Sequence, residues 1–376
     1  MPNPPRKILL NPGPATTSQA VKEAMVASDI CPREKEFQTV LETLCRELTR
    51  VVHGGNRYEC ILFAGSGTAV MDACINSVVP PGKKILIVNN GAYGQRMVNI
   101  AAAYGIEVVE YALPGDTPPD LHELDRRLQG DSDIACVAMI HHETTTGLLN
   151  PVKEAGAIVH KLDRVFIVDA ISSYAALPIS IEDWKIDFLL STSNKCIQGM
   201  AGIGIVIADR EKLEKTAFYP KRSYYLNLHQ QYAYFKKSGQ LPFTAPVQVV
   251  YALAQATKEY FEEGEANRWA RYQGNWKLLY QGLIELGYRM LLPVERESGV
   301  LIAVREPTHP KFDFNDLHDR LYEMGFTIYP GKIETNRTFR LAVIGDLYVE
   351  DMNQFLASLR RAMEAMGIQG NLYPEQ

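Results

Sequence analysis

The chain is poor in the features that mark several protein classes. Tryptophan occurs three times in 376 residues, and no stretch reaches the roughly 20 apolar residues needed to cross a bilayer. The opening MPNPPRKILLNPGP puts prolines where a signal peptide would carry its apolar helix, so no membrane partner is expected and the expected location is the cytoplasm. Lys and Arg form no long run, and 39 basic against 44 acidic residues leave a net charge of −5, which makes nucleic acid a poor partner. The six cysteines (Cys31, Cys45, Cys60, Cys74, Cys136 and Cys196) form no CxxC pair, and several lie in apolar runs, where Cys behaves as a small hydrophobe. Reduced thiols are expected, with neither a disulfide framework nor a metal site.

What is present is an ordinary globular balance, 46% hydrophobic and 22% charged, in a chain long enough for one large domain and a smaller one. From residue 59, short apolar runs alternate with helix-like segments: ECILFA, KILIVNN, IEVVEYA, IACVAMIH and VFIVDA are separated by 67–79, 91–104, 119–129 and 151–163. Buried parallel strands crossed by helices read this way, so the fold class is α/β with a sheet covered on both faces. DFLLST and GIGIVIAD then follow closely, and one antiparallel pairing is expected between strands so near in sequence. PVQVVYALAQATKEYFEEG has a helical period, ends at Gly264, and is expected to bridge to a second, smaller α+β domain.

Three sites carry chemistry. Gly65-Ser66-Gly67-Thr68 lies between a strand and a helix, where free N–H groups and the positive dipole end favour a phosphate; the plain alternative is a turn capped by Ser66. Asp169 ends the strand VFIVDA, at the edge where open α/β sheets bind ligands, and a carboxylate buried there needs a positive or proton-bearing partner. Lys195, in STSNKCIQG, follows DFLLST directly among small polar residues, and desolvation frees a lysine's lone pair for imine chemistry. A phosphate cradle, an acid and an imine-forming lysine at one sheet edge are the combination that pyridoxal 5′-phosphate requires. Tyr93, in NNGAYGQRM, is placed to stack on its ring.

With LNPGP (10–14), NNGAYGQRM, HETTTGLLNP (142–151), IVDAISS, SNKCIQG, IYPGK and Phe339-Arg340, the chain resembles the class V branch of fold-type-I pyridoxal-phosphate aminotransferases over nearly its whole length. Within that branch it is most similar to the transaminases that act on 2-aminoethylphosphonate and pyruvate. The resemblance implies a large, mostly parallel seven-stranded sheet domain over 15–264 and a small domain from 1–14 and 265–376. It implies that Ser66, Gly67 and Thr68 hold the cofactor phosphate and that Tyr93 lies against the ring. Thr144 would reach the phenolic oxygen side, with Thr145 and Thr146 as alternatives; Asp169 would pair with the ring nitrogen, and Lys195 would form the imine. Thr244 would serve the neighbouring subunit's site, so a homodimer with shared active sites is implied. Arg340 would bind the acidic group of the small-molecule substrates, an aminophosphonate and pyruvate or alanine. One stretch departs from the pattern: where many degradative members carry Trp-Asp, this chain reads DICPREKEF, in which Arg33 is open to two roles, an anion contact or a structural ion pair. The implied activity is reversible amino transfer, with an alanine–glyoxylate or serine–pyruvate transaminase as the alternative. A non-catalytic cofactor-binding protein has no need of Arg340, and a desulfurase would require Cys196 to be reactive.

Overall fold

Each apolar run between residues 58 and 209 is a strand in the computed structural model, which describes residues 7–331 and 337–374. They are β1 (Tyr58–Ala64), β2 (Lys84–Asn89), β3 (Val108–Ala112), β4 (Ile134–Ile140), β5 (Val165–Asp169), β6 (Phe188–Thr192) and β7 (Ile203–Asp209). They form one seven-stranded sheet in the order β1-β7-β6-β5-β4-β2-β3. The period-two alternation sends Ile85 and Ile87 to one face and Leu86 and Val88 to the other, each into its own apolar cluster. Helices cover both faces, and each fully buried aliphatic side chain contributes about 1.5–3 kcal/mol of transfer free energy.

Five of the strands pair in parallel, β1 runs in the same direction, and β7 runs against both its neighbours, pairing Ile203 with Ala64 of β1 and Gly204 with Thr192 of β6. The sequence predicted one antiparallel pairing; there are two because β7 inserts between β1 and β6 instead of forming an edge. Its seven residues are all buried, as a central strand requires.

The helices flanking the site are α1 (Gly67–Val78), after β1, and α2 (Ala92–Ala103), after β2. Beyond β4 the pair His142–Glu143 and Leu148–Leu149 closes a short antiparallel hairpin whose turn is Thr144–Gly147.

The helix Val247–Glu263 packs Val250, Leu253 and Tyr260 into the first core, so it is not itself the expected bridge. The chain leaves that core at Gly264, whose φ of +82° lets it turn, and α3 (Glu265–Glu285) then delivers Tyr272, Trp276, Leu279 and Leu283 to a second core. This core includes an antiparallel sheet of β8 (Leu301–Arg305), β9 (Tyr329–Pro330) and β10 (Thr338–Ala342), with β10 in the middle. Helices Phe314–Glu323 and Val349–Ala365 cover it, and Ile8–Leu9 pairs in parallel with Phe326–Thr327. Among the described residues no helix is long and apolar enough to cross a membrane. Lys332 of the IYPGK motif lies outside the described residues.

Candidate active site

The start of α1 and the carboxyl ends of β4, β5 and β6 enclose a cavity of about 170 Å³. Seven residues singled out in the sequence line it together: Ser66, Gly67, Thr68, Tyr93, Thr144, Asp169 and Lys195. Ser66 is the N-cap residue of α1, yet its side chain makes no cap hydrogen bond, so the plain capped turn does not form. The positive end of the α1 dipole therefore faces the cavity with its cap hydroxyl uncommitted to the helix. A Cβ on Gly67 would come within 2.8 Å of Ile171 Cδ1, which explains why glycine stands where the turn meets the wall.

Asp169 is 4% exposed and accepts a hydrogen bond from Ile171 N at 2.7 Å. Burial pushes its carboxyl up to about 7; the Ile171 N–H, Lys195 and Arg96 pull it down, while the nearby Glu143 adds to the rise. Lys195 stands in the turn after β6, which is braced by Gln198 N to Lys195 O and Gly199 N to Ser193 O, both 2.8 Å. Its Nζ donates to Pro12 O at 2.6 Å, and a Cβ on Gly13 (φ +124°) would sit 2.2 Å from that nitrogen. The PGP motif thus lies against the lysine, a contact its sequence did not disclose.

The three threonines of the hairpin turn separate. Thr144 lines the cavity, Thr145 Oγ1 donates to Glu143 and accepts from Ala92 N, and Thr146 Oγ1 donates to Gly115 O at 2.8 Å. Glu143, fully buried, also accepts from Tyr93 N at 3.3 Å, so its carboxylate sits at the N-terminus of α2 and fixes where Tyr93 begins. Burial raises its pKa, and these donors offset part of the rise.

Sequence reasoning passed over two further wall residues. Arg96 donates to Thr68 Oγ1 at 2.9 Å and lies 4.9 Å from the Tyr93 ring centroid, joining the cradle to the aromatic face. It is one helical turn beyond Tyr93, which was the available signal. His142 bonds Ser172 O through Nδ1 at 3.1 Å, and its buried Nε2 has no hydrogen-bond partner. Burial drives the imidazole down to about 4, so it is neutral at physiological pH.

Arg340 lies on β10 at 2% exposure, behind the wall; its Nη1 donates to Thr144 O at 3.3 Å and its Nε to Pro330 O at 3.0 Å. Burial lowers its pKa. Thr244 is exposed and does not line the cavity of its own chain. Arg33 donates to Gln240 Oε1, Leu241 O and Pro242 O, clamping the segment that leads to Thr244, so these contacts are neither the ion pair nor the anion contact considered from sequence. Cys196 is fully buried in the second core, with its thiol pushed up to about 12 by burial, which removes the thiolate a sulfur-transfer role needs.

These residues fit pyridoxal phosphate. An uncapped helix start suits its phosphate, a buried acid poised near neutrality suits a protonated ring nitrogen, and the orphaned His142 Nε2 leaves a polar group for a ligand to meet. Comparison with known proteins gives the same answer. The model of the family "Aminotransferase class-V" matches residues 15–331. The 2-aminoethylphosphonate–pyruvate transaminase of Salmonella paratyphi C is 40% identical over 359 residues, covering 95% of this chain and 97% of the relative, and that of Salmonella typhimurium is equally similar. Among solved structures, an alanine–glyoxylate aminotransferase from Nostoc sp. superposes with a TM-score of 0.90 at 26% identity, covering 96% of each chain. Pyridoxamine–pyruvate aminotransferase from Mesorhizobium loti, at 22% identity, shares the fold with a TM-score of 0.88 over 98% of this chain and 95% of its own. A match of this extent, with the lysine, the acid and the cradle gathered in one cavity, means that the chain belongs to the class-V aminotransferase family.

Proposed function

We propose that the protein is a pyridoxal-phosphate-dependent transaminase that interconverts 2-aminoethylphosphonate plus pyruvate with phosphonoacetaldehyde plus L-alanine. The observation that carries this reading is 40% identity, spread over 95% of the chain, to transaminases named for those substrates. When bound, the cofactor supplies an aldehyde that accepts the amino group and a ring that holds the electron pair left on carbon.

The chain's own groups do the rest. Lys195 Nζ would hold the cofactor's aldehyde carbon at rest and, once an incoming amine had taken its place, would be the base that accepts the proton from the amine-bearing carbon. Asp169 keeps the ring nitrogen protonated, and Ser66, Gly67 and Thr68 hold the phosphate. Tyr93 orients the ring from one side, with Thr144 at its phenolic edge. Arg340 takes the acidic end of each substrate in turn: phosphonate in one half-reaction, carboxylate in the other.

The same reading assigns residues 15–264 to a cofactor-binding domain and 1–14 with 265–376 to a small domain, supported by the change of core at Gly264. It takes the enzyme to be a cytoplasmic homodimer in which the exposed Thr244, braced by the Arg33 clamp, reaches the partner's phosphate site. The test is a coupled assay of amine donors with pyruvate and with glyoxylate. Turnover of 2-aminoethylphosphonate with pyruvate at a higher kcat/KM than serine supports the reading. Preference for alanine with glyoxylate, without aminophosphonate turnover, replaces it by the alanine–glyoxylate alternative.

A further inference from the structure

All three tryptophans of the chain line one cleft, distinct from the catalytic cavity. The cleft holds about 400 Å³, within the range of small-molecule sites, and lies where the two cores meet. Trp184 packs beside the first core, Trp269 and Trp276 come from α3 in the second, and His141 closes the space with its ring edge-on to Trp184 at 5.3 Å. The walls are braced: Gln273 Nε2 donates to Gly299 O at 3.0 Å, and Ser298 N to Gly147 O at 3.1 Å, which ties the cleft to the back of the Thr144 turn.

Its polar content is unusual. Glu297 lines the cleft, and both its carboxylate oxygens are shielded from solvent without a hydrogen-bond partner, as is Trp276 Nε1. Among the described residues no Lys or Arg lines the cleft, and burial holds the His141 imidazole neutral, its pKa lowered to about 3. An unpaired acid in such a place is costly when charged, and burial alone pushes Glu297 up to about 9. Three indole rings around one cleft, with an acid that has no counter-charge beside them, suit a cation. Because the carboxylate oxygens are shielded, the cation that fits is one that donates no hydrogen bond and is held by ring faces and by field.

We infer that this cleft is a binding site for a small quaternary ammonium cation, seated against Trp184, Trp269 and Trp276 and paired at a distance with Glu297. A seated cation favours the ionised carboxylate, so binding releases the Glu297 proton and is best measured at about pH 8.5, close to that acid's midpoint.

The tryptophans themselves report occupancy. Choline chloride added to the holoenzyme changes tryptophan emission saturably, against a sodium chloride control, and calorimetry gives the same Kd. The carbon isostere of choline, with tert-butyl in place of trimethylammonium, has the same shape without the charge and binds at least tenfold more weakly. Glu297→Gln reduces that preference to about twofold or less. Trp269→Leu, a change at a partly buried position, weakens choline at least tenfold by calorimetry. A response linear in concentration, equal affinity for choline and its isostere, or unchanged affinity in whichever of the two variants folds overturns the inference. None of these readouts depends on turnover, so the transaminase reading stands or falls separately.

Discussion

The proposed active site joins two walls of different construction, one lining the cavity and one behind it. Ser66, Asp169 and Lys195 stand at a helix start and beside strand ends of the large sheet, where backbone ladders and turn hydrogen bonds fix them. Arg340 comes from the middle of β10 in the second core, between Ala303 and Tyr329, and bonds the carbonyl of Thr144, which lines the cavity. The first wall, on the proposed function, is indifferent to the donor, since every amine undergoes the same proton transfer. The second rests on a contact between two cores and, on the proposed function, is the part that recognises what the amine is attached to. On that reading, chemistry belongs to the sheet edge and donor choice to β10.

The largest effect breaks the first wall outright. Lys195→Ala removes the nitrogen that carries the proton, and kcat falls at least about 10⁴-fold for every donor. Borohydride then no longer fixes the cofactor to the peptide containing residue 195. Attachment to another lysine in the wild-type protein contradicts the assignment.

Asp169→Asn keeps the shape and removes the charge, with an expected loss of about 10²–10³ in kcat, the size seen when a preorganised electrostatic group is deleted. Stability moves the opposite way. Because burial raises the folded pKa of Asp169 to about 7, above its unfolded value near 3.9, its contribution to folding is full below the unfolded value and is lost as pH rises through about 7. In cofactor-free protein, Tm therefore falls from about pH 4 to 7, and Asp169→Asn makes that fall shallower. Differential scanning calorimetry at several pH values reads the slope, and an unchanged slope contradicts the buried-acid account.

Arg340→Lys retains the cation and loses the planar fork. Both half-reactions weaken, by about 10–100-fold in kcat/KM, with the phosphonate donor affected more than alanine. The smallest effect sharpens the comparison: Arg96→Gln loses one hydrogen bond and the stacking over Tyr93, about 1–2 kcal/mol together, so the cofactor Kd rises about tenfold. At saturating cofactor, kcat stays within a few-fold of wild type. A kcat loss that cofactor does not rescue would place Arg96 in the chemistry.

The sheet-edge wall was legible in the sequence because its residues are marked locally. An apolar run, a small-residue turn and a helix follow one another at Ser66, and strand ends announce Asp169 and Lys195. What was not legible depends on distant segments meeting. Lys195 and Pro12 are 183 positions apart, Arg96 meets Thr68 across 28, and Arg340 meets Thr144 across 196. Strand order hides in the same way: the run 203–209 shows a buried strand, but not that it threads between β1 and β6. Three adjacent threonines look alike in sequence, and only the hairpin turn sends one to the cavity, one to Glu143 and one to Gly115. The tryptophan cleft was invisible for a further reason, since its members come from four separate segments whose spacing carries no period.

The division of labour is tested most directly by one ratio, kcat/KM for 2-aminoethylphosphonate over kcat/KM for L-alanine, each measured in the amine half-reaction by the cofactor's absorbance. The account predicts that Asp169→Asn lowers both values and leaves the ratio within about twofold of wild type, whereas Arg340→Lys shifts the ratio toward alanine by about fivefold or more. An Arg340→Lys protein that loses both activities in equal proportion, or an Asp169→Asn protein that changes the ratio, would contradict it.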